Sequence, residues 1–144
     1  MAEKPSFRAA FKARRCLVIA TGFYEWQVQG KAKQPMWIGL TSHRPFAFAG
    51  LWEQWQPSEG TVIESCTILT TEPNELLRPI HNRMPVILSP TSYDQWLDPS
   101  FQQAEPLRAL LRPYPSEDLQ AYAVSTLVNN PRHEAPDCLE PLPT

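Results

Sequence analysis

Proline limits this chain more than any other residue type. Sixteen of the 144 residues are proline, against an average of roughly 5%. They are scattered, apart from the C-terminal tail. Each one fixes φ and removes a backbone donor, so few long helices are expected, and the prolines read as strand ends, turns and short connections.

The patterning fits that expectation. Ser6 to Arg14 places Phe7, Ala10 and Phe11 on one helical face with basic residues around the others. The chain then turns β-rich. Strands are predicted over Cys16 to Ala20, Phe23 to Gln29, Met36 to Leu40, Phe46 to Trp55 and Val62 to Thr70, with a hairpin loop at Gln29 to Lys33. Short helices are expected over Thr71 to Leu77, Ser89 to Trp96 and Glu105 to Leu111, and further strands over Val86 to Leu88 and Leu119 to Val124. From Asn129 the chain reads as irregular. No repeat or long linker divides it. The predicted fold is a single α+β domain over residues 1–144, with one curved or barrel-like, mostly antiparallel sheet flanked by short helices.

Apolar residues make up 42% and charged residues 19% of the chain, the profile of a globular protein rather than a disordered one. No apolar run approaches the roughly 18 to 20 residues of a membrane span. The N-terminal stretch is basic but has no apolar core, so it does not read as a secretory signal, and a cytoplasmic location is expected. Net charge is −2. Through Lys33, however, seven basic residues (Lys4, Arg8, Lys12, Arg14, Arg15, Lys31, Lys33) stand against Glu3 and Glu25. That asymmetry reads either as a basic face for an anion or as a solvated helix.

Cys16, Cys66 and Cys138 lack the number and spacing of a disulfide framework or a zinc site. Cys16 and Cys66 lie in apolar runs and read as buried small hydrophobes. Cys138 lies in the tail, a position open to exposure. His43 reads as a surface turn residue and His133 as a tail residue. The three histidines form no metal-ligand pattern, and no metal or cofactor is expected. The tryptophans read mostly as core, with base stacking open to any exposed beside a basic face.

Two segments look unusual for a packed core. In Gly22-Phe23-Tyr24-Glu25-Trp26 a carboxylate interrupts an aromatic strand. Strand alternation puts Glu25 on one face with Phe23 and Gln27, and Tyr24, Trp26 and Val28 on the other. Pointing inward, Glu25 would hold its proton to higher pH and serve as an acid or base; pointing outward, it is a solvated residue. In Pro79-Ile80-His81-Asn82-Arg83-Met84-Pro85, His81 and Arg83 share a side of a stiff loop. His81 reads as a proton carrier or as a loop histidine bonded to backbone, and Arg83 as a phosphate clamp. No serine-nucleophile, zinc-protease or phosphate-loop motif is present.

These segments, in order, resemble the SOS response-associated peptidase (SRAP) family. They are Arg14 to Leu17 leading into Gly22 to Trp26, Gln34-Pro35, Phe46 to Trp52, Thr67 to Thr71, Ile80 to Leu88, Val124-Ser125 and Val128 to Asn130. The resemblance implies processing of abasic sites in single-stranded DNA. A cysteine at the mature N-terminus of the family captures the ring-opened aldehyde and closes a thiazolidine DNA–protein crosslink. It also implies that Glu25 handles protons at the N-terminal amine and that His81 acts on the sugar hydroxyl and in reversal. Arg83 would grip a phosphate, and Trp26 and Met84 would help to shape the DNA-binding site.

The family begins Met-Cys-Gly-Arg, whereas this sequence begins Met1-Ala2-Glu3-Lys4-Pro5, and Asn82 stands where an acidic residue is common. The expectation is a member lacking the family's N-terminal part. Cys16, being internal, has no free amine to replace that cysteine. The competing expectation is a short form that binds single-stranded DNA or a partner without covalent chemistry. Self-processing of the N-terminus accounts for the peptidase in the family's name.

Overall fold

A computed structural model describes residues 5–143. In chain order its elements are α1 (Pro5–Ala13), β1 (Arg15–Ala20), β2 (Phe23–Gln29), β3 (Ala32–Leu40), β4 (Phe46–Trp55), β5 (Ile63–Ile68), β6 (Thr70–Thr71), β7 (Met84–Pro85), α2 (Tyr93–Leu97), α3 (Ala104–Arg108) and β8 (Leu119–Ala123). Single 3-10 turns lie at Pro90–Ser92, Ser116–Asp118, Thr126–Asn129 and Pro136–Leu139. Among the described residues, no helix is long and apolar enough to cross a membrane. The α+β class with antiparallel sheet and short helices is what the structure has. The strands are shared among two open three-stranded sheets, β1-β4-β5 and β2-β3-β8, and a two-stranded sheet, β6-β7.

The chain divides into two compact units. The first comprises Met1–Ile19, Ala47–Thr71 and Pro85–Pro113. Its core joins Ala10 and Phe11 of α1 to Ala49, Leu51, Leu69, Val86, Leu88, Trp96 and Leu107. Arg15 is the polar centre of this unit. It is only 7% exposed, and its guanidinium donates to the carbonyls of Phe11, Lys12, Trp96, Asp98 and Phe101 at 2.6–2.7 Å. Arg14 donates to the Trp52 carbonyl and pairs with Glu53 at 2.7 Å. Neither arginine is therefore available for the expected basic face, because each is already bonded to the protein. Arg8, Lys12, Lys31 and Lys33 are exposed, and Lys4 lies outside the described residues.

The second unit comprises Ala20–Phe46, Glu72–Met84 and Tyr114–Thr144. The β2–β3 hairpin turns at Gly30 and Lys31, tighter than the five-residue loop expected. Gln29 pairs with Ala32, and Gly30 takes φ 63°, which glycine adopts without steric cost. Strand β3 also begins earlier than expected. Pro35 lacks an N–H, but its carbonyl accepts from the Val124 amide, so the sheet runs through it. Trp37 stacks on Tyr122 of β8, ring centroids 5.0 Å apart. A side chain at Gly22 or Gly39 would run into the Trp37 indole, which is why glycine opens the Gly22 to Trp26 segment.

The predicted helix over Thr71 to Leu77 is replaced by turns. Pro73 and Pro79 leave too few residues to offset the cost of starting a helix. The Asn74 side chain organises the segment instead, accepting from the Leu77 amide at 2.9 Å and donating to the Tyr114 carbonyl at 2.7 Å. Cys66 is exposed, against the expected burial, Cys16 is half-buried, and Cys138 of the tail is buried. An apolar run on a strand does not by itself bury its residues: every residue of β5 is exposed.

Candidate active site

Strand β2 and the loop from Pro79 to Met84 belong to the second unit and meet face to strand. Gln27, on the Glu25 face of β2, donates from its amide nitrogen to the Pro79 carbonyl at 3.0 Å. That bond fixes the loop against the strand and leaves Glu25 facing His81. The Glu25 Oε2 lies 3.8 Å from His81 Nε2, with side-chain exposures of 21% and 41%. This gap is past hydrogen-bond length but well within the reach of charge attraction. Burial pushes the Glu25 carboxyl above the ordinary glutamate value, and the charge of His81 partly opposes the shift. The inward alternative for Glu25 is the one adopted.

The other imidazole nitrogen is held by the loop itself. Nδ1 of His81 accepts from the Arg83 amide at 3.2 Å and lies 3.1 Å from the Arg83 carbonyl oxygen. A neutral ring can accept from the amide, and a protonated one can donate to the carbonyl. The loop therefore satisfies Nδ1 in both protonation states while Nε2 stays turned toward Glu25. His81 is thus bonded to backbone, as one of its two readings had it, and also stands beside a carboxylate.

The remaining expected residues are arranged differently. Arg83 is exposed beside His81. Met84 is 0% exposed, and its sulfur accepts from the Asn74 amide at 3.3 Å. A side chain without surface cannot touch DNA, so Met84 is a support beneath the loop rather than a contact. Trp26 lies on the Tyr24 face of β2, opposite to Glu25, and its indole donates to Asn129 Oδ1 at 2.7 Å. The structure brings Glu25, His81 and Arg83 together and leaves Trp26 on the other side of the strand. Sequence reasoning missed Gln27 and Asn74. Period-two alternation already put Gln27 on the Glu25 face, but nothing local showed that it would reach a carbonyl so far along the chain.

Of the other histidines, His43 is exposed with φ 60° at the tip of its turn. His133 is half-buried and lies 2.7 Å from Asp137.

Comparison with known proteins matches the chain to one family. Residues 1–131 match the family described as SOS response associated peptidase (SRAP). The chain is 47% identical, over 97% of its length, to the abasic site processing protein YoqW of Bacillus subtilis, and covers 63% of that protein. It is 35% identical to the abasic site processing protein HMCES of Xenopus tropicalis, covering 96% of this chain and 47% of that one. A crystal structure of a Bacteroides thetaiotaomicron protein superposes with a TM-score of 0.89 at 31% identity, covering 98% of this chain and 62% of that one. The chain thus spans just under two thirds of the Bacillus relative. The family match and the identity across nearly its whole length lead to one conclusion: this chain belongs to the SOS response associated peptidase (SRAP) family.

Proposed function

We propose that this chain works in the processing of abasic sites in single-stranded DNA, with Glu25 and His81 as its acid–base pair and Arg83 as its phosphate contact. The observation that carries the reading is the half-buried Glu25 carboxylate, with its raised proton affinity, 3.8 Å from an imidazole whose far nitrogen is held in both protonation states. Burial holds the Glu25 proton to higher pH than an ordinary glutamate, which suits the carboxyl to acid–base work.

In the proposed reaction an amine nitrogen adds to the aldehyde carbon of the ring-opened abasic sugar. Glu25 takes the proton that the attacking ammonium must lose. The carbinolamine then loses its hydroxyl as water, leaving an imine. A thiolate sulfur adds to the imine carbon, the nitrogen takes a proton, and a thiazolidine closes. In the family the amine and the thiol come from one N-terminal cysteine. His81 moves a proton at the sugar hydroxyl in the forward direction and in reversal. Arg83, exposed beside it, has the fork geometry to hold an adjacent phosphate in bidentate fashion.

The test is a denaturing gel with a uracil-derived abasic single strand. Joined behind a segment that begins with the family's Met-Cys-Gly-Arg, the chain is expected to form a heat-stable adduct. Glu25→Ala or His81→Ala in that protein is expected to slow formation or reversal by about 100-fold or more. The 144-residue chain alone is expected to give no shifted band. An adduct unaffected by both substitutions removes the acid–base pair, and a shifted band from the chain alone moves the chemistry to Met1 or a lysine.

A further inference from the structure

Away from the Glu25–His81 pair, the C-terminal segment gathers three different donor types. His133, Asp137 and Cys138 each bring one ligand atom, and the three atoms lie within 4.8 Å of one another. His133 Nε2 is 2.7 Å from Asp137 Oδ1, and the Cys138 sulfur lies 3.8 Å from the His133 carbonyl oxygen. We infer that these side chains form a binding site for a single zinc-class divalent ion. This inference does not rest on the DNA reading.

The chemistry of the set selects the ion. One thiolate, one imidazole and one carboxylate match the borderline softness of zinc or cobalt, whereas magnesium and calcium prefer oxygen alone. Zinc with about 2.0–2.3 Å bonds in a tetrahedron sets its ligand atoms about 3.3–3.8 Å apart. On binding, the histidine–aspartate contact opens from 2.7 Å, and side-chain adjustment brings the three atoms, all within 4.8 Å of one another, to that spacing. His133 and Cys138 also line a cavity of about 290 Å³ together with Tyr24, Val128, Glu134 and Leu139. On binding, the Cys138 thiol gives its proton to solvent and the sulfur becomes the ligand.

The segment is also held in place. Tyr24 and Tyr122, on strands β2 and β8, donate their hydroxyl protons to the carbonyls of Cys138 and Leu139 at 3.0 and 2.7 Å. The Leu142 amide donates to the Ala123 carbonyl at 2.9 Å, and Val124 bridges Pro141. The turn that presents Asp137 and Cys138 is thus tied to the sheet on both sides before any ion arrives, which lowers the ordering cost of binding. The expectation of no metal rested on three scattered histidines and on three cysteines without zinc-site spacing; the proposed site takes one of each and an aspartate.

The experiment is a cobalt titration of the chelator-stripped chain. Expected are a thiolate-to-cobalt charge-transfer band in the near ultraviolet and strong tetrahedral visible bands. Both should saturate at one equivalent and be lost when zinc is added but not when magnesium is added. Cys138→Ser and His133→Ala should abolish the charge-transfer band or weaken zinc binding about 100-fold or more, since losing a group that only orients a ligand already costs about 10- to 100-fold. His133 is half-exposed, so His133→Ala opens no core cavity and reads metal loss apart from misfolding. Cys66→Ser should leave the band intact. A folded chain without the thiolate band, or a band that survives Cys138→Ser or disappears with Cys66→Ser, overturns the site.

Discussion

The second unit holds two histidine–carboxylate pairs that look alike in composition and differ in every physical respect. Glu25 and His81 come from a strand and a distant loop, stand 3.8 Å apart, and bury the carboxylate more than the imidazole. His133 and Asp137 lie four residues apart, touch at 2.7 Å, and leave the carboxylate the more exposed member. The closed pair satisfies each group with the other. The open pair leaves Glu25 desolvated without a matching hydrogen bond to His81, so its proton affinity is raised. A short distance alone is therefore a poor guide to reactivity; burial of the carboxylate separates the two.

The largest expected effect tests that separation directly. In the cysteine-bearing protein, Glu25→Ala is expected to lower the adduct-forming rate by about 100-fold or more. Glu53→Gln, which removes the exposed partner of Arg14, should change it by less than about twofold, because exposed ion pairs are worth at most about 1 kcal/mol. Single-turnover gels with an abasic strand measure both. Equal effects from the two substitutions would mean that the Glu25 carboxylate acts only through general charge.

Next in size are substitutions that loosen the open pair without touching it. Asn74→Ala removes the groups bonded to the Leu77 amide and the Tyr114 carbonyl. It is expected to cost about 1–3 kcal/mol in urea unfolding. Gly22→Ala forces a methyl group into the Trp37 indole and should cost about 1–3 kcal/mol as well. Both should disturb the His81 imidazole resonances while leaving those of His133 in place. If the His133 signals move instead, the two pairs are mechanically linked and the comparison fails.

The balance of what was legible follows from how far each contact reaches along the chain. The β2–β3 hairpin was visible because its turn and alternation are local. Glu25 and His81 were visible as oddities, and the family resemblance paired them, but neither segment alone revealed that Gln27 would pin the loop or that Nδ1 would face both an amide and a carbonyl. Arg15 was read with the basic residues because charge is visible in sequence, whereas five backbone carbonyls converging on a guanidinium are not. Trp26 was grouped with Glu25 by motif, although alternation had already put it on the other face. Cys138 was read as a tail residue because nothing local shows that its turn is tied to the earlier strands β2 and β8, whose Tyr24 and Tyr122 hydroxyls bond the carbonyls of Cys138 and Leu139.

A smaller effect concerns pH. The folded chain holds the Glu25 proton to higher pH than the unfolded chain does. Between the ordinary glutamate value and the raised folded one, the native state binds more protons, so stability falls as pH rises through that window and the loss is complete above it. Glu25→Gln lacks this loss. Its unfolding free energy should therefore decline less than that of the unsubstituted chain from mildly acidic to neutral pH, measured by urea unfolding across a pH series. A steeper decline in the variant would mean that the carboxylate is stabilised in its charged form, contrary to its burial.

The smallest effect belongs to the closed pair. Without metal, the His133–Asp137 contact joins two partly exposed side chains, and such pairs contribute at most about 1 kcal/mol. Asp137→Asn keeps a hydrogen-bonding group in place and should cost less than that in the chelator-treated chain. With saturating zinc, the same substitution removes a ligand from the folded state only. Linkage then makes the stability difference grow with free zinc concentration, since an ion that binds the native state alone stabilises it by RT ln(1 + [L]/Kd). Melting curves of the two proteins with chelator and with increasing zinc separate the cases. A difference that stays constant as zinc rises would reduce the pair to a local staple in the turn and leave Asp137 out of the metal site.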